Sequence, residues 1–96
     1  MFEDADLDKA VDGLVASKFR NAGQTCVCTN RIYVQRSIQQ AFAEKLQTKV
    51  AALEVGDGLK TKASIGPMID EQAVVKVQKH VDDALSKGAK LLHGGK

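Results

Sequence analysis

The sequence predicts an α/β fold, with parallel strands joined by crossover helices and a sheet that is left incomplete. Apolar residues recur at helical spacing in three stretches, and two short stretches beside them are rich in strand-forming residues. A glycine-broken turn carrying a cysteine separates the first helical stretch from the first strand stretch. Two strands make a poor sheet, and their open edges invite pairing with strands not present in the chain. Its 96 residues therefore read as one partial domain of a larger α/β unit.

Glu3 to Asp6 is acidic and precedes an apolar-periodic run, as a helix N-terminus prefers. Leu7, Ala10, Val11, Leu14 and Lys18 share one face at helical spacing, so a helix should run to about Phe19, with Ala22-Gly23 as its exit. Phe2 reads as the tail of an apolar segment that continues upstream. Arg31-Ile32-Tyr33-Val34-Gln35 alternates polar with apolar and predicts a strand. Ser37-Ile38-Gln39-Gln40 has capping-box form, with Ser37 as N-cap and Gln40 reaching back. The helix after it places Phe42, Leu46, Val50 and Leu53 on one stripe. Gly56-Asp57-Gly58 predicts a turn, and Leu59 to Met68 a long polar connection containing Gly66-Pro67. Asp70 should cap a third helix with Val74, Val77, Val81, Ala84 and Leu85 on its apolar face, closed by Gly88. Ala89 to Leu92 predicts a second short strand before Gly94-Gly95-Lys96.

Composition narrows the function classes. A net charge of +2, evenly spread, gives no argument for nucleic acid or an anionic membrane as partner. No apolar run has transmembrane length and none resembles a signal-peptide core, so a cytoplasmic location is expected. Cys26 and Cys28 are too few for a disulfide framework, and His80 and His93 do not complete a zinc site, so no metal is expected. Gly56-x-Gly58 is not a dinucleotide fingerprint, because it follows a helix and opens a loop.

The chemistry gathers at Cys26. Its neighbours Gln24, Thr25 and Thr29 are polar, unlike those of a thiol packed in a core. It also follows a helix exit, where fixed N–H groups can face a developing oxyanion, so a nucleophilic thiol is a fair candidate. Phe19-x-Asn21-x-Gly23-Gln24-x-Cys26 resembles the active-site cysteine signature of the NAD(P)-dependent aldehyde dehydrogenase superfamily. The resemblance extends through Phe2 to Leu7, Val55 to Gly58, Ile65 to Ile69 and Gly88 to Lys96. Within the superfamily, Lys18 to Cys28 is most similar to the bacterial succinate-semialdehyde dehydrogenases.

The resemblance implies that Cys26 attacks the aldehyde carbon to give a thiohemiacetal, that hydride leaves to NAD or NADP, and that the resulting thioester is hydrolysed. It implies that the Cys26 N–H supplies part of an oxyanion hole, and that Arg20 holds the distal carboxylate of succinic semialdehyde. A guanidinium suits that task because its planar fork meets both carboxylate oxygens. Taken alone, Arg20 reads as a last-turn cation favoured by the helix dipole. Cys28 matches a second cysteine that pairs with the nucleophile as a redox switch in some members. Inert packing is its other reading, since residues two apart on an extended chain sit near the limit of disulfide geometry. Lys76 falls where the family sometimes has a cofactor-ribose contact, and it also reads as a plain surface lysine.

The family's general-base glutamate, its cofactor-binding domain and the asparagine of its oxyanion hole have no counterpart in this sequence. The chain therefore reads as a catalytic-domain fragment of a homo-oligomeric parent. It is expected to bind no cofactor and to turn over no substrate without the remainder of the dehydrogenase chain. The reading from another class is a free-standing thiol-redox or interaction module that uses Cys26 and Cys28.

Overall fold

The structure is a computed structural model that describes residues 1–95. Its first helix, α1 (Leu7–Lys18), begins where the acidic cluster ends. The Asp6 carboxylate accepts hydrogen bonds from the Asp8 and Lys9 N–H groups at 3.1 and 3.2 Å, which satisfies two donors that the helix cannot pair internally. One turn of 3-10 helix, Arg20–Gly23, leads out of α1, and a second, Arg36–Ile38, leads into α2 (Gln39–Ala51). The third helix, α3 (Glu71–Ser86), is capped by Asp70, whose carboxylate accepts from the Ala73 N–H at 2.7 Å.

α1 packs on α2, and this pair holds the core. Val11 and Phe42 are buried, as is Cys28 from the turn between the helices. Lys45 to Asp8 at 2.6 Å and Lys49 to Asp12 at 2.8 Å tie the two helices along their exposed edge. Hydrogen bonding to the Asp12 carboxylate, with its charge, holds the Lys49 ammonium above its ordinary pKa. α3 packs on neither helix, and its apolar face is open, with Val74 51%, Val77 49% and Leu85 43% exposed. Gly88, at φ +88°, ends α3 as expected, with its own N–H and that of Ala89 returned to Leu85 and Ala84.

Both expected strands are corrected. Residues 31–35 and 89–92 form no strand among the described residues. Ladder pairing needs a neighbour along the whole edge, and each stretch meets only isolated partners. The Met1 ammonium donates to the Tyr33 carbonyl at 2.7 Å, and the Gln35 N–H donates to the Met1 carbonyl at 3.0 Å. That is the parallel pattern, one residue long, centred on Val34. A second parallel bridge joins Val55 to Ile65 across the polar connection. Leu92 offers its carbonyl to the Gln47 side chain at 2.9 Å instead of to a strand.

The capping box at Ser37 is also corrected. The Ser37 hydroxyl donates to the Glu3 carboxylate at 2.9 Å and Gln40 donates to Glu44, while Ile38 occupies the cap position. The pairing of residues 1–3 with 33–37 draws Ser37 away from its own helix.

No helix among the described residues is long and apolar enough to cross a membrane. The accessible surface is 7709 Å², against about 5,400 Å² for a compact monomer of this mass.

Candidate active-site turn

Two side-chain hydrogen bonds close the base of the turn on the last residues of α1. The Ser17 and Thr29 hydroxyls hydrogen-bond to each other at 2.8 Å, and the Lys18 ammonium donates to the Asn30 side-chain carbonyl at 2.8 Å. Between those ties the chain makes its excursion through Phe19 to Cys28. Asn21 (φ 49°), Ala22 (φ 56°) and Gly23 (φ 78°) are consecutive left-handed residues, which reverse the chain direction sharply after α1. The φ of Gly23 favours glycine, and a Cβ there would also stand 3.3 Å from the Lys18 carbonyl oxygen, a tight contact.

The Cys28 N–H donates to the Thr25 carbonyl at 3.3 Å, making Thr25 to Cys28 a four-residue turn with Cys26 and Val27 at its corner. Corner residues point outward, and the Cys26 thiol is exposed beside Val27. Among the described residues, neither the Cys26 nor the Val27 N–H is committed to a hydrogen bond. Cys28 turns inward. Its Sγ lies 2.8 Å from the Thr25 hydroxyl and 3.9 Å from the Arg20 carbonyl. The Thr25 hydroxyl holds the Cys28 thiol below its ordinary pKa against the opposing effect of burial. The two sulfurs are free thiols, one outside and one inside.

Arg20 is exposed at the exit of α1 and lines an open groove of about 410 Å³ with Gly13, Ala16, Ser17 and Val27. Val27, the residue after the thiol, thus reaches the groove that Arg20 lines, while Cys26 itself is not among its lining residues. Lys76 is not brought to that groove. It lines a separate groove of about 460 Å³ with Glu71, Gln72, Val75 and Lys79, all from α3. Among the described residues no three His, Cys, Asp or Glu side chains could hold a metal ion. Gly56 and Gly58 flank Asp57, whose carbonyl accepts from the Lys60 and Thr61 N–H groups in a closed loop, and no helix N-terminus follows to face a pyrophosphate.

Sequence reasoning missed the polar ties that shape the turn: Ser17 to Thr29, Lys18 to Asn30, Thr25 to Cys28, and the Gln24 side chain on residues 67–69. The density of short polar residues on both sides of the cysteines is the available signal for the first three.

The turn thus presents an exposed thiol with two uncommitted N–H groups beside it, and Val27 at its corner borders the groove that Arg20 lines. The chain belongs to the aldehyde dehydrogenase family, which it matches over residues 1–96. It is 62% identical over its whole length to the succinate-semialdehyde dehydrogenase [NADP(+)] of Escherichia coli and to a glutarate-semialdehyde dehydrogenase of Pseudomonas putida, covering 20% of each. The crystal structure of succinate-semialdehyde dehydrogenase from Burkholderia pseudomallei, 56% identical, superposes on the whole chain with a TM-score of 0.96, again over 20% of its own length. The chain thus spans about one fifth of the relatives it matches, and its fold is part of theirs.

Proposed function

We propose that this chain is the nucleophile-bearing part of a cytoplasmic semialdehyde dehydrogenase that oxidises succinic semialdehyde to succinate with NAD or NADP as acceptor. The observation that carries the reading is the exposed Cys26 thiol at a turn corner, with unused N–H groups beside it. The similarity to semialdehyde dehydrogenases supports the substrate class.

In this reading the Cys26 thiolate adds to the aldehyde carbon, and the carbonyl oxygen takes up the negative charge. The Cys26 and Val27 N–H groups are the donors at hand for that oxygen, and they need no rearrangement to serve. Arg20 pairs with the carboxylate at the far end of the substrate and so fixes which aldehyde is presented. Cys28 is held apart from the nucleophile by Thr25, ready to meet Cys26 as a redox partner only if the turn bends. Lys76 is a surface lysine, because its groove belongs to one helix face. The nicotinamide cofactor and the subunit contacts of the homo-oligomer fall to the remainder of the dehydrogenase chain, which is this segment's macromolecular partner.

The test is nicotinamide absorbance with succinic semialdehyde, once with NAD and once with NADP, in the complete dehydrogenase that contains the segment. Cys26→Ala should abolish turnover. Arg20→Ala should raise KM for succinic semialdehyde by about 10- to 100-fold, the range for losing a hydrogen-bonded charge, while sparing an uncharged aldehyde. The 96-residue chain itself should give no turnover. Turnover by that chain that is lost in Cys26→Ala would refute this division of labour.

A further inference from the structure

Gln24, two residues before the thiol, is tied at both ends. Its N–H donates to the Asn21 carbonyl at 3.0 Å, which fixes its backbone at the end of the left-handed run. Its side chain crosses to the far half of the chain. There Nε2 donates to the Pro67 carbonyl at 3.4 Å and Oε1 accepts from the Ile69 N–H at 3.3 Å. A primary amide carries a donor and an acceptor like a peptide unit, and here it meets residues two apart as a residue in a parallel strand meets its neighbour. Both bonds are at the long end of the range, so the pair matters more than either alone. Pro67 has a fixed φ, and Ile69 directly precedes the Asp70 cap of α3, so the surface that Gln24 grips is preset. Among the described residues no other hydrogen bond or ion pair joins residues 19–30 to residues 60–95.

We infer, resting on Cys26 as the nucleophile, that Gln24 is a positioning residue that locks the reactive turn to the 67–69 segment through its side-chain amide. The amide sets the angle at which the turn leaves Gly23, and with it the placement of Cys26 against the Arg20 groove. α3 itself makes no contact with α1 or with the Arg20–Gly23 turn, so the tie to this half of the chain runs through the segment before the helix.

Two readouts on the 96-residue chain test the inference, one blind to the chemistry of Cys26. In amide hydrogen exchange, Ile69 should exchange about fivefold faster in Gln24→Ala and in the equal-length Gln24→Met. The Ala73 amide, held by Asp70, should keep its rate. In the second readout, Cys26 is alkylated with iodoacetate and with iodoacetamide. A turn held beside Arg20 favours the anionic reagent, and the ratio of rates should fall by about threefold in both Gln24 variants towards the Arg20→Ala value. A Gln24→Met chain matching wild type in both readouts would overturn the inference, since length and packing would then suffice. Equal ratios in wild type and Arg20→Ala would instead count against Arg20 as the anion site, and Ile69 exchange would still decide for or against Gln24.

Discussion

At the scale of single residues, the left-handed run from Asn21 to Gly23 is the most constrained part of the chain. Ala22 pays for its φ of 56° with about 1–2 kcal/mol, because its Cβ crowds the following carbonyl. Ser17 and Lys18 hold Thr29 and Asn30 at the loop base, so the chain must turn back within a few residues, and the strain is the consequence of that closure. Gly23→Ala should destabilise the chain by about 1–2 kcal/mol, read as a lower urea midpoint with an unchanged slope. An unchanged midpoint would mean that the turn relaxes in solution. Ala22-Gly23 as helix exit was legible, since glycine after a periodic run has few other uses. The left-handed φ of Asn21 and Ala22 was not, because nothing local asks a non-glycine residue into that region. The outward Cys26 and inward Cys28 follow from the turn's register, which depends on the same closure.

At the scale of elements, the three helices were legible because each carries its own periodicity and two carry an aspartate cap. The strands and the Ser37 cap were not, because both depend on partners remote in sequence. The Asp6 cap gives α1 a pH dependence of defined sign. The Lys9 N–H and ammonium hold the Asp6 carboxyl below its ordinary value of 3.8, so its contribution is complete above that value and is lost as pH falls through the lower folded one. Helical circular dichroism from about pH 5 down to pH 2 should show α1 loosening in wild type. An Asp6→Asn chain should lack that component, and an identical titration would remove Asp6 as its cause. The contact between α1 and α2 carries most of the stability. Phe42→Ala should therefore cost about 3 kcal/mol or more and leave the chain largely unfolded, as judged by lost amide dispersion.

At the scale of the whole molecule, the decisive quantity is surface. An extended chain of this mass exposes about 15,000 Å², so folding to 7709 Å² buries roughly half, where compact domains of this size bury nearer two thirds. The radius of gyration, 14.5 Å, also exceeds the roughly 12.5 Å of a compact 96-residue domain. Scanning calorimetry should accordingly give a heat-capacity change on unfolding of about 0.9 kcal/mol/K, below the ~1.2–1.4 of a compact domain. A value in the compact range would mean that the open faces of α3 find cover in solution. That the chain matches only part of a longer fold was legible from two strand-forming stretches without neighbours to pair with. How little sheet the chain forms by itself was not, because strand propensity does not count available neighbours.

The polar connection between α2 and α3 bears on how the chain meets a protease. Leu59 stands 98% exposed between Asp57 and Lys60, and the backbone from 58 to 63 runs over the surface. Trypsin should cut first after Lys60 or Lys62. The severed piece carrying α3 would then hang on the Val55 to Ile65 bridge, the Ser64 hydroxyl on the Glu54 carbonyl, the Gln24 amide and the Gln47 contact with Leu92. With so few attachments, the two halves should part on dilution, and Cys26 would leave with one half while the 67–69 segment that Gln24 meets left with the other.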